Sequence, residues 1–224
     1  MSDPGPRFNI DIPRDGAPIE ELALEGAHVR LEPLRAEHLD ALLAAAQSDT
    51  ETFPFTYVYQ DRAGMQGWLE EALGSAQRGL ALPYATVDRR DGAVVGSTRF
   101  WNFEFWSWRG GSPRAARNPD AAEIGWTWLA PRAQRTPINT EAKLLMLQHA
   151  FERWKVFRMT LKTDARNQRS RNAIQRLGAK FDGVLRAHSS ASDGGIRDTA
   201  NFSMLREEWP EAKARLLERL QPKK

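Results

Sequence analysis

The stretch "RTPINTEAKLLMLQHAFERW", residues 135–154, joins a helix-start signal to a long apolar run. Thr136 followed by Pro137 predicts an N-cap with proline in the first turn, and residues 139–141 (Asn-Thr-Glu) offer a second capping register. The body repeats apolar residues at helical spacing, in a stripe of Leu144, Leu147, Phe151 and Trp154. We therefore expect a largely buried helix with a narrow wet face of Glu141, Gln148, Glu152 and Lys155.

The first turn of this helix is the part where a functional role is open. Its backbone N–H groups lack intrahelical partners and carry partial positive charge, so a helix N-terminus can hold an anion. A well-capped core helix without a ligand would carry the same residues, and the helix alone does not choose between the two.

Strands flank this helix on both sides. "AAEIGWTWLAP" (121–131) predicts a strand stopped by Pro131, and "RMTLKTD" (158–164) predicts the next strand. The elements run as strand, two helices, a hairpin, a strand, helix, strand, helix, two strands and a terminal helix. This order predicts a single α/β or α+β domain over residues 21–224, with a mixed sheet and helices on both faces, after a flexible N-terminal arm at residues 1–20.

Composition excludes several classes of function. The 224 residues include no cysteine, which excludes disulfides, thiolate metal ligands and cysteine nucleophiles. The four histidines lack metal-ligand spacing, so we expect no metal. A net charge of +3 is too small to indicate a nucleic-acid partner. No apolar run of about 18 residues predicts a membrane span, and the polar start favours a cytoplasmic protein.

Three motifs, in this order and spacing, carry a family resemblance. They are E-I-G at 123–125, N-x-x-S at 167–170 followed by L-G-A, and R-D-x-x-x-x-S-M-L at 197–205. The chain from about Leu24 to Trp209 resembles the GNAT superfamily of N-acetyltransferases, specifically its RimJ/RimL-like branch. The resemblance implies a three-layer α/β (α+β) fold around a mixed, mostly antiparallel seven-stranded sheet, with acetyl-CoA wedged where two parallel strands part.

The resemblance also implies the coenzyme contacts. Backbone groups along Trp126, Thr127, Trp128 and Leu129 would bind the pantetheine arm, and Asn167 would hold it too, although an N-cap role explains Asn167 equally well. Arg169 lies beside Asn167 and is a candidate for a CoA phosphate.

The pyrophosphate loop departs from the family pattern R/Q-x-x-G-x-G/A, because Arg135 and Pro137 fill both glycine positions. Either phosphate binding is lost, or other groups compensate. For compensation, Arg132 or Arg135 would bind a phosphate, and Asn139 and Thr140 would add donors. Thr136 at the cap is a further coenzyme-binding candidate. We favour compensation.

Glu123 is the candidate general base, because a carboxylate in so apolar a strand acquires a raised pKa on burial. A structural carboxylate paired with an arginine is the alternative. Alternation places Glu123 on one strand face with Gly125, Thr127 and Leu129. Ser170 would hydrogen-bond the departing sulfur, as the family suggests, or contact the CoA chain without acid duty. The resemblance also implies a tyrosine acid near Ser170, whereas the tyrosines of this chain are Tyr57, Tyr59 and Tyr84.

The segment "RFWNFEFWSW" (99–108) supplies acceptor-side candidates: Trp101, Phe103 and Glu104. The same aromatic residues would also suit core packing, a homodimer interface or the stacking of bases, and Glu104 would also suit an exposed rim. The function that follows is acetyl transfer from acetyl-CoA to a primary amine (a protein N-terminus or a small molecule) by direct attack. The alternative is a non-catalytic CoA-binding or partner-binding member of the same fold.

Overall fold

The computed structural model describes residues 19–48, 52–109 and 118–221. Nearly all of the predicted arm, residues 1–20, therefore lies outside the described residues. One sheet contains eight strands in the order β1-β2-β3-β4-β5-β6-β8-β7. The strands are β1 (Leu24–Glu25), β2 (Val29–Pro33), β3 (Ala81–Asp88), β4 (Val94–Glu104), β5 (Ala121–Leu129), β6 (Arg158–Asp164), β7 (Lys180–Ser190) and β8 (Ile196–Leu205). The helices are α1 (Leu39–Gln47), α2 (Arg62–Gln77), α3 (Pro137–Gln148), α4 (Gln168–Arg176) and α5 (Trp209–Leu220).

The mixed α/β fold is confirmed, with one strand more than the seven expected. The additional strand is the two-residue β1, which pairs with β2 through Leu24 opposite Leu31. Two residues are too few to show an alternating pattern, so periodicity could not reveal it. Only β5 and β6 run parallel among the paired strands of the described chain.

Two hydrophobic clusters lie on opposite faces of the sheet. Apolar residues of α3, α4 and α5 pack with the strands into the larger cluster, which includes Leu147, Ile174 and Leu216. Apolar residues of α1 and α2 form the smaller cluster over the β2–β5 half, which includes Trp68 and Trp128. On that second face β6 and β8 present polar side chains to an open groove, because the two helices extend only over the other half.

The start of α3 confirms the predicted cap. Thr136 Oγ1 accepts a hydrogen bond from the Ile138 N–H at 3.3 Å, and Pro137 is the first helical residue. The helix ends at Gln148 and continues as a π-helical turn, His149–Trp154, which Lys155 stops in the left-handed conformation at φ 59°.

Glu141 is not part of a wet face, which corrects the prediction for this residue. It is 6% exposed and accepts hydrogen bonds from three consecutive backbone N–H groups, those of Ala27, His28 and Val29, at 2.8, 2.6 and 2.8 Å. Gly26 precedes this turn, where a Cβ would collide with the Glu141 carboxylate. The carboxylate thus anchors α3 to the turn between β1 and β2.

Candidate active site

The sheet splits between its two parallel strands. β5 and β6 pair only from Ala121 opposite Arg158 to Ile124 opposite Leu161. Beyond that point β5 stays with β4 and β6 stays with β8, so the two strands part. Because α3 follows β5 and α4 follows β6, both helix N-termini lie at the open end of this split.

A bulge reshapes β5 just past the split. Trp126 adopts the left-handed conformation at φ 54°, and the register shifts so that Trp126 and Thr127 together oppose Thr98. The expected face, with Glu123, Gly125, Thr127 and Leu129 together, is therefore wrong beyond Gly125. Leu129 packs into the α3 cluster and Trp128 into the α1/α2 cluster, because the extra residue inverts the alternation.

Glu123 lies at the base of the split and is 2% exposed. Its Oε2 atom is 2.8 Å from Lys162 Nζ, so its partner is a lysine of β6 rather than an arginine. Burial raises the pKa of Glu123 above its ordinary value, and Lys162 and the Trp101 indole oppose that rise without cancelling it. The site therefore contains a carboxylate with a higher proton affinity than an exposed one.

Trp101 lies opposite Glu123 on β4 and belongs to a group of side chains that includes Trp126 and the buried Arg99. Trp101 meets Trp126 edge-on at 6.1 Å, and the Arg99 guanidinium lies 4.4 Å from the Trp126 ring centre. Arg99 is 2% exposed and reaches Glu71 at 3.2 Å; burial lowers the pKa of its guanidinium. At Gly125 a Cβ would stand 2.7 Å from Trp101 Nε1, so a larger residue there would displace the indole.

The other acceptor-side candidates are placed differently. Phe103 is a correction: a bulge at Asn102 (φ 50°) turns it into the α3 cluster, 5.8 Å from the Trp154 ring and on the sheet face opposite Glu123. Glu104 lines a groove of about 320 Å³ with Lys162, and its carboxylate is paired with Arg158 at 2.7 Å.

The aromatic residues farther along the segment contact their own chain. Trp106 stacks on Phe157 at 5.6 Å, and Trp108 lies 5.5 Å from the same ring. Packing within the chain therefore accounts for Trp106 and Trp108 without a partner subunit. The homodimer stays a prediction.

The loop before α3 keeps the conformation that a glycine would favour. Arg135 adopts the left-handed conformation at φ 59°, which costs conformational energy for any residue other than glycine. Its exposed side chain makes no hydrogen bond or ion pair with the described residues, nor do the half-buried side chains of Asn139 and Thr140. Arg132 differs, because its guanidinium is 2.7 Å from Asp91 of the β3–β4 hairpin.

The α4 candidates cap the helix and span the split. Asn167 Oδ1 accepts the Ser170 N–H at 3.0 Å, so its capping role is confirmed. Within the described residues the half-buried Ser170 hydroxyl makes no hydrogen bond. Arg169 donates to Gln134 Oε1 at 3.1 Å and to the Thr52 carbonyl at 3.0 Å, across the open end of the split.

Two lysines near the split were not among the predicted site residues. Alternation in "RMTLKTD" could have placed Lys162 on one face of β6, but its pairing with Glu123 depends on the parallel register. Lys143 of α3 donates to both Thr98 and Thr127 at the bulge. In the sequence, Lys143 stands out only as a charged residue inside an otherwise apolar helix.

A parted pair of parallel strands, with two helix N-termini at its open end and a carboxylate at its base, defines an acyl-CoA-dependent transferase of the type that the motifs indicate. A family model described as an acetyltransferase (GNAT) domain matches residues 28–180. The chain belongs to the GNAT family of N-acetyltransferases, which take their acetyl group from acetyl-CoA.

Solved structures agree with this assignment. A GCN5-related N-acetyltransferase from Brucella melitensis is 30% identical, with 95% of this chain and 91% of that chain covered and a TM-score of 0.79. Mycobacterium smegmatis RimJ in complex with CoA-disulfide is 21% identical, covers 91% of this chain and 97% of its own, and has a TM-score of 0.74, which shows the shared fold. No curated protein matches the sequence.

The described residues offer neither a metal-binding cluster nor a membrane-spanning helix. Within the described ranges no group of three or more His, Cys, Asp or Glu residues could hold a metal ion. No helix in the same part of the chain is long and apolar enough to cross a bilayer.

Proposed function

We propose that this protein transfers the acetyl group of acetyl-CoA to a primary amine by direct attack, with Glu123 as the general base. The observation that carries the proposal is the buried Glu123 carboxyl at the base of the split, whose pKa is raised by burial. A neutral amine adds to the thioester carbonyl, the C–N bond forms and the C–S bond breaks. The amine proton passes to Glu123 and CoA leaves as the thiolate, with Ser170 donating a hydrogen bond to the sulfur.

The acceptor class follows from proton affinity. An α-amino group titrates near 7.7–8.0 and needs little help at neutral pH, whereas a lysine amine near 10.4 needs a stronger base. Burial raises the proton affinity of the Glu123 carboxylate, and the first kind of amine is the less basic of the two, so Glu123 suits it better. A protein N-terminus or a small molecule with an amine of comparable basicity is therefore the proposed acceptor, entering through the polar groove beside Lys162.

The proposed coenzyme contacts follow the split. The backbone of β5 from Trp126 to Leu129 receives the pantetheine arm, with Asn167 on the opposite side. Arg135, Asn139 and Thr140 bind the pyrophosphate at the start of α3, because their side chains are uncommitted among the described residues. Arg132 is left out of this set because Asp91 occupies it.

The test measures thiol release from acetyl-CoA over a panel of N-terminal peptides and small amines. Glu123→Gln is expected to lower kcat by about 10²–10⁴-fold while leaving the Kd of acetyl-CoA unchanged within about threefold. Glu218→Gln, on the exposed side of α5, is the matched control and should behave as wild type. If the protein binds acetyl-CoA but no amine causes thiol release, the proposal is refuted. That result would favour the non-catalytic alternative, which the filled glycine positions also support.

A further inference from the structure

Lys143 is a buried lysine with no counter-ion among the described residues. It lies in the second turn of α3, is 4% exposed, and makes no ion pair with any residue in the described part of the chain. Its Nζ atom donates to Thr127 Oγ1 at 2.6 Å and to Thr98 Oγ1 at 2.8 Å. The two hydroxyl oxygens are themselves 2.8 Å apart, so the three groups form a closed triangle.

This arrangement destabilises the folded chain. Burial alone lowers the pKa of Lys143 to about 7, and no neighbouring charge contributes to the shift. Its neighbours Ala142 and Leu144 are buried apolar residues, as is Leu147 one turn later. A methionine at this position would fill the same space without losing the hydration of an ammonium group, so stability does not explain the lysine.

The position of the triangle suggests its use. Thr98 lies on β4 and Thr127 on β5, and they stand where the bulge at Trp126 puts two residues opposite one. Past Ile124 the β6 side of β5 has no strand partner, so its shape there depends on β4 and on side-chain contacts. Lys143 is the contact that joins α3 to both threonines.

We propose that Lys143 is a positioning residue for acetyl-CoA, which holds Thr98 and Thr127 together from the face opposite Glu123 and so fixes the β5 backbone that receives the pantetheine arm. The inference rests on the proposed function for the path of that arm. It distinguishes Lys143 from a catalytic residue, because its ammonium contacts the threonine hydroxyls rather than the reacting atoms.

The experiment compares Lys143→Met with wild type by calorimetric titration of two ligands. Acetyl-CoA reports on the whole site, and adenosine 3′,5′-bisphosphate reports on the nucleotide end without the arm. We expect the Kd of acetyl-CoA to rise about tenfold, the effect of one modest polar interaction, and the Kd of the bisphosphate to stay within about twofold. The Tm should rise by about 4 °C or more, because the buried charge is gone. Leu147→Met, on the same face of α3, is the matched control and should leave both Kd values unchanged.

Each other result would overturn the inference. An unchanged Kd for acetyl-CoA would remove the positioning role, and an equal loss for both ligands would point to a general distortion. A lower Tm or a variant that does not fold would make Lys143 a residue of the fold itself. Because the readout is binding, a wild type that binds acetyl-CoA but acetylates no amine would refute the proposed chemistry and leave this test valid.

Discussion

Removing the Glu141 side chain should destabilise the protein severely, although the residue lies outside the proposed chemistry. Its carboxylate accepts three backbone N–H groups at 2.6–2.8 Å, and Glu141→Ala would leave all three without a partner. A buried donor left unsatisfied costs about 1–3 kcal/mol. The Val29 N–H is fully buried, whereas those of Ala27 and His28 are partly buried and can turn towards water. We therefore expect a loss of roughly 3–5 kcal/mol in the free energy of unfolding.

Urea unfolding followed by tryptophan fluorescence measures this loss. Glu141→Gln keeps one acceptor oxygen and should lose about half as much, since hydrogen bonds to a charged group are roughly twice as strong as neutral ones. Glu218→Ala, an exposed carboxylate on α5, should stay within about 0.5 kcal/mol of wild type. A Glu141→Ala protein within about 1 kcal/mol of wild type would refute the reasoning, because the three N–H groups would then have found other partners.

Two further predictions concern the pyrophosphate loop and pH. Arg135→Gly removes the backbone strain of a left-handed residue, so the free energy of unfolding should stay equal or rise by up to about 1 kcal/mol. The Kd of CoA should rise about fivefold to tenfold, because a phosphate contact is lost. Tighter CoA binding by this variant would instead indicate that the arginine only obstructs a glycine site. Lys143 has a pKa of about 7 in the folded chain against 10.5 in the unfolded chain, so between these values the unfolded chain holds one more proton. Folding stability therefore rises with pH across that window. Below pH 7 the destabilisation by the buried charge is complete. The stability advantage of Lys143→Met over wild type should accordingly shrink by roughly 2–3 kcal/mol between pH 6 and pH 9 in urea titrations, and an advantage independent of pH would contradict the assigned cause.

Local patterns predicted the elements of the fold well. The Thr136 cap, the buried body of α3 and the strand of residues 121–129 depend on near neighbours in the chain, and periodicity and capping chemistry report on those. The arrangement of the sheet came from the family resemblance that the three motifs carry. The sequence did not predict β1, because this strand is defined by its pairing with β2 and not by a pattern of its own.

The site was less predictable because it depends on two exceptions to regular structure. The left-handed Trp126 inverts the faces of β5 beyond Gly125, and no residue type at that position announces it, since tryptophan rarely adopts positive φ. The bulge at Asn102 likewise turns Phe103 away from Glu123. Lys162 was missed for another reason: its distance from Glu123 is set by the parallel pairing of strands that lie far apart in sequence.

The brevity of the parallel seam has a consequence for cohesion. Four residue pairs between β5 and β6 are the only strand pairing, in the described chain, between the β1–β5 half of the sheet and the β6–β8 half. A molecule wedged beyond Ile124 would contact both halves and replace the pairings that the split gives up. Its binding energy would then also join the two halves and add to the free energy of unfolding of the protein that holds it. The amine would thus bind to a sheet whose two halves acetyl-CoA already holds together.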